Sequence, residues 1–69
     1  MVEVFSTNVQ EAAQSDMLSI LLLEHFPGSR ISFDLDDCDK VLRVEGKGVI
    51  PEMVIHILGT RGYQCRSMD

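Results

Sequence analysis

The sequence predicts an α+β domain whose elements run strand, helix, strand, strand, helix, strand. Three observations predict it. Two stretches repeat apolar residues every three or four positions, and a short alternating segment opens the chain. A pair of alternating segments between the helical stretches is closed by turn residues at each end. At 69 residues the chain holds one domain, residues 1–69. A chain this short buries roughly 60% of its unfolded surface, and its single core supplies about 3–5 kcal/mol net.

Val2-Glu3-Val4-Phe5 alternates and is rich in β-formers, so it is the first strand. Asn8, with Glu11 three residues later, fits a capping box ahead of a helix. Over residues 12–26, Ala13, Met17, Leu18, Leu21, Leu22 and Phe26 return at helical spacing as one face, and Pro27-Gly28 stops it. Ile31, Phe33 and Leu35 alternate with Ser32 and Asp34. Asp36-Asp37 makes a turn, and Val41, Leu42 and Val44 form the return strand, closed by Gly46-Lys47-Gly48. Pro51 suits the first turn of a second helix, with Glu52 near its positive end. Met53, Val54, Ile57 and Leu58 are its apolar face, and Gly62 supplies the left-handed residue that ends it. Tyr63-Gln64-Cys65-Arg66 is a short last strand.

That order is the split β-α-β signature of the ferredoxin-like sandwich. Right-handed crossovers then put both helices on one face of a four-stranded antiparallel sheet of order 4-1-3-2. The end of the first strand, the hairpin tip and the start of the last strand share one rim.

Composition excludes several functions. A net charge of −5 disfavours nucleic acid and anionic membranes, both of which take affinity from basic residues. It admits a basic protein partner. The longest apolar run, residues 20–23, falls far short of the roughly 20 residues a membrane span needs. The alternation after Met1 lacks the basic start and apolar core of a secretory leader. We therefore expect the reducing cytosol, with both cysteines free.

The layout resembles the heavy-metal-associated domain of copper chaperones and metal-pumping ATPases. The residues that carry the resemblance are Val2-Glu3-Val4 before a loop, Phe26-Pro27-Gly28 after the first helix, and Gly62-Tyr63 before the last strand. The hairpin from Ile31 through Val44 also looks like that family's middle strands. Such domains bind soft metals through Met-x-Cys-x-x-Cys in the first loop, where two thiolates converge on one ion. Here the matching stretch is Ser6-Thr7-Asn8-Val9-Gln10-Glu11-Ala12, with no cysteine. The resemblance thus implies the fold but transfers no metal ligand, and no cofactor is expected.

Other candidates have ordinary readings. Cys38 and Cys65 are the only thiols. Placed on opposite sheet edges about 14 Å apart, they are too distant for a shared ion or a disulfide within one chain. A bridge between chains or a non-standard metal-trafficking site is the alternative. Asp34, Asp36, Asp37 and Asp39 crowd the hairpin tip, read as a solvated turn that lacks an EF-hand's glycine and distal glutamate. His25 and His56 have no ligand at metal spacing. Thr7 and Asn8 occupy the loop where this architecture places ligands, and their helix start could meet an anion. Tyr63 stands on the same rim, as packing. With Val2 and Val4 facing the helices, Phe5 and Val41 would turn onto the open sheet face as an interface. A homodimer through that face or an edge strand is the expected assembly.

The function expected is a non-enzymatic binding or interaction module. A small-molecule sensor of the ACT type shares the strand order, although its ligand loops carry a glycine that this first loop lacks. No nucleophile–base pair, phosphate loop or metal triad suggests an enzyme.

Overall fold

A computed structural model describes residues 1–68. Its elements are β1 (Val2–Thr7), α1 (Ala12–His25), β2 (Arg30–Asp34), β3 (Val41–Glu45), α2 (Pro51–Thr60) and β4 (Cys65–Ser67). The sheet order is β2-β3-β1-β4, the expected order counted from the other edge, and every pairing is antiparallel. This is an α+β arrangement compatible with the ferredoxin-like sandwich. Among the described residues no helix is long and apolar enough to cross a membrane.

Local chemistry sets the ends of the helices. Glu11, and not Asn8, is the N-cap of α1. The Gln14 side-chain oxygen accepts the backbone N–H groups of Gln10 and Glu11, each at 3.3 Å. Three residues separate Gln14 from the cap, the reach that a capping box requires. α2 begins on Pro51, whose missing N–H costs nothing at a helix start. Its end is closed by Tyr63 N–H on the Leu58 carbonyl at 3.0 Å. Gly62 makes that reversal at φ 86°, a left-handed conformation that glycine adopts without a Cβ clash.

One core joins the layers. Phe5, Leu42 and Val44 from the sheet meet Leu18 and Leu22 of α1 and Val54, Ile57 and Leu58 of α2. Both helices therefore cover the same face of the sheet. Phe33, Ile31, Phe26 and Tyr63 pack around this centre.

Two facings differ from expectation. Phe5 is fully buried at 0% exposure, while Val2 is 52% exposed. Phe5 opposes Leu42 in the ladder, and Val4 opposes the exposed Arg43. The odd positions of β1 thus face inward, so Phe5 belongs to the core and not to an interface. On α1 the buried face runs through Ser15, Leu18 and Leu22. Met17 is 60% exposed and Ala13 lies outside as well. The helix carries apolar residues on both sides, and the heavier leucine pair has taken the sheet.

Candidate functional site

The rim formed by the end of β1, the turn between β2 and β3 and the approach to β4 is closed by its own hydrogen bonds. The turn between β2 and β3, residues 35–40, folds over the end of β1. There Thr7 N–H donates to the Asp39 carbonyl at 2.9 Å, and Thr7 Oγ1 donates to the Lys40 carbonyl at 2.6 Å. The same hydroxyl accepts Val9 N–H at 3.2 Å. Asn8 Oδ1 accepts Gln64 N–H at 2.8 Å, tying the loop to the approach to β4. Lys40 holds a left-handed φ of 48°, and its Nζ donates to the Leu35 carbonyl at 2.7 Å. Three chain segments meet in this latch.

Side chains of the loop and of the first helical turn also take three of the loop's amides. Val9 N–H is taken by Thr7, and Gln10 and Glu11 N–H by Gln14. These three loop amides are satisfied internally. Thr7 and Asn8 are fasteners here. Replacing Thr7 by valine keeps the shape and removes both hydroxyl bonds. At about 0.5–1.5 kcal/mol each, stability should fall by about 1–2 kcal/mol. Thr7→Ser should keep most of it. Urea midpoints of the two variants, with amide exchange at Val9, test this; equal midpoints would mean the hydroxyl contributes nothing.

The cysteines are placed differently from expectation. Because the turn reaches across β1, Cys38 lines a cleft of about 330 Å³ with Ser6, Thr7, Asp39, Gln64 and Arg66. It is exposed there, beside β4 and not on the far edge of the sheet. Cys65 opposes Thr7 in the ladder and turns inward to the core. Burial pushes its thiol up to about 11. The backbones come closer than the strand order implied, but one thiol faces solvent and the other faces the helices.

Asp37, Cys38 and Asp39 offer ligand atoms within 4.8 Å of one another. One thiolate with two carboxylates is a mixed donor set. It suits neither a soft ion, which favours paired sulfurs, nor a hard one, which favours oxygen alone. Asp37 Oδ1 already accepts Asp39 N–H at 2.8 Å as part of the turn. Tyr63 is half-buried against the core. His25 Nδ1 lies 3.1 Å from the Leu21 carbonyl at the end of α1.

The open face of the sheet carries residues that sequence reasoning missed. Leu42 and Val44 face the helices, so Val41, Arg43 and Glu45 face away. The ladders bring Arg30, Ser32 and Asp34 of β2 to that face, with Val2 and Val4 of β1. Arg66 of β4 opposes Ser6, two residues beyond Val4. Arg30, Arg43 and Arg66 therefore descend diagonally across the sheet, from one edge strand to the other. All three are exposed, and none makes a side-chain hydrogen bond or ion pair with a described residue. They outnumber the two carboxylates of the face, Asp34 and Glu45, in a chain of net charge −5. A shallow hollow of about 500 Å³ lies between Val2, Arg30, Ser32, Arg43 and Glu45. Val2, exposed, and Val4, half-buried, supply apolar ground beside the arginines, while Val41 is buried at 6% exposure.

The four aromatic residues, Phe5, Phe26, Phe33 and Tyr63, all pack on the core. The open face thus has no platform on which bases could stack. Fold and site together define an α+β domain with a latched rim and an arginine-lined open sheet. No protein-family model matches the chain, and neither a curated protein nor a solved structure matches it.

Proposed function

We propose that this chain is a non-enzymatic interaction module on a scaffold like the heavy-metal-associated domain. Its first loop is held by hydrogen bonds in place of metal thiolates, and its docking surface is the open sheet face. One observation carries the reading: three arginines with no side-chain partner among the described residues run diagonally over an exposed face that also presents Val2 and the half-buried Val4. Guanidinium groups with no partner among the described residues are poised for carboxylates. The valines between them favour a surface that is acidic and partly apolar, hence a polypeptide. Without aromatic side chains the same face lacks the usual means of holding single-stranded RNA.

The test is a titration of the whole chain with a synthetic peptide of alternating glutamate and leucine, followed by backbone amide shifts. Shifts should gather on Val4, Arg43 and Arg66. Arg43→Glu should weaken binding about 10- to 100-fold, since a hydrogen bond to a charged group is worth roughly 1.5–3 kcal/mol. Shifts confined to the helices, or tighter binding of an oligonucleotide than of the peptide, would overturn the proposal.

A further inference from the structure

The chain carries a second unpartnered surface whose chemistry mirrors the first. Met17, Ile20 and Leu23 on α1 are 60%, 63% and 41% exposed. On a helical projection they share one outward arc with Ala13, Asp16 and Glu24, opposite the buried Ser15, Leu18 and Leu22. This arc is apolar in the middle and acidic at both ends. On the open sheet the half-buried Val4 lies between Arg43 and Arg66, with Arg30, Asp34 and Glu45 on the side away from Arg66. α1 covers the inner face of the sheet, so the two surfaces lie on opposite sides of the molecule. One copy can use both at once.

The spacings agree too. Asp16 and Glu24 are eight residues apart, about 12 Å along a helix. Arg43 opposes Val4 and Arg66 opposes Ser6. That separates them by two strand spacings and two residues, again about 12 Å. Pairing of like faces is less favoured: sheet on sheet would bring three arginines against a face with only two carboxylates, Asp34 and Glu45, and helix on helix would set carboxylates against carboxylates. Charge complementarity selects the unlike pair.

We propose, building on the open sheet as a docking surface, that its partner is the outer face of α1 from a second copy of this chain. Arg43 and Arg66 meet Glu24 and Asp16 around an apolar centre of Val4 and Ile20. Such a contact is heterologous, so it adds copies head to tail in place of closing a two-fold dimer. The molecule measures only 27 × 24 × 18 Å, and the footprint falls at the small end of protein interfaces. Association is therefore weak, dependent on concentration and lowered by salt.

Sedimentation of the reduced chain from micromolar to millimolar concentration tests it, with two variants at exposed positions. The parent chain should grow past the dimer as concentration rises. Arg43→Glu and Ile20→Glu should each stay monomeric alone, with unchanged melting. Mixed in equal amounts they should form a dimer and stop, because one intact sheet face and one intact helix face remain. A parent chain monomeric throughout would overturn the proposal. So would dimers of Arg43→Glu alone, which indicate helix-to-helix pairing, or of Ile20→Glu alone, which indicate sheet-to-sheet pairing. The glutamate–leucine peptide separates the two readings. If a monomeric parent still binds it through Val4 and Arg43, only self-assembly falls; if it does not, the docking surface falls as well.

Discussion

Phe5→Ala should leave the chain largely unfolded at room temperature. Phe5 is fully buried where β1 meets both helices. Truncating a buried phenylalanine costs about 3–5 kcal/mol, and a core of this size supplies about the same net stability. The comparison variant is Val2→Ala, at a position 52% exposed on the other face of the same strand. It should shift stability by about 0.5 kcal/mol or less. Urea unfolding followed by circular dichroism distinguishes the two. If Val2→Ala were the damaging change, the facing of β1 would be the reverse of that described, and the arginine diagonal would lose its valine ground.

Stability should also fall in alkali through Cys65. Its thiol titrates near 9.0 when free and is pushed up to about 11 by burial in the fold. Below pH 9 the thiol is protonated in both states and contributes no pH dependence. Above it the unfolded chain releases the proton while the folded chain retains it, so unfolding is favoured. The loss is about 1.4 kcal/mol per pH unit between the two values, or about 2–3 kcal/mol by pH 11. Lysine and tyrosine ionise in the same range, so the quantity to measure is the difference between the parent chain and Cys65→Ala. That difference should shrink or reverse from pH 9 to pH 11. A difference flat with pH would mean that the thiol is not desolvated.

Much of the fold was legible because its signals are local. The hairpin alternation of Ile31 and Phe33, the Pro51 start and the Gly62 stop each state their element within a few residues. Right-handed crossovers then leave little freedom in the strand order. What was not legible depended on choices between two consistent patterns. β1 offers Val2 and Val4 on one side and Phe5 on the other, so alternation by itself does not say which side faces in. The greater bulk of Phe5, set against Leu42, decides it. α1 offers two apolar arcs, and only packing on the sheet selects Leu18 and Leu22. The rim latch depends on the path of the turn from Leu35 to Lys40, including a left-handed lysine, for which periodicity has no signal. The arginine diagonal needs the register of three strand pairs at once. Arg30 and Arg43 sit on the polar side of their hairpin in the sequence, but Arg66 joins them only through β1.

The doubled apolar pattern of α1 also bears on how the chain avoids folding wrongly. A helix with hydrophobic residues all round could seat itself on the sheet in either of two rotations, half a turn apart. Only one of them drives Asp16 and Glu24 into a space that has no cation to receive them, and burying an unpaired carboxylate is expensive. The two acids that border the outer arc thus act as keys during folding. Their desolvation cost disfavours the inverted seating.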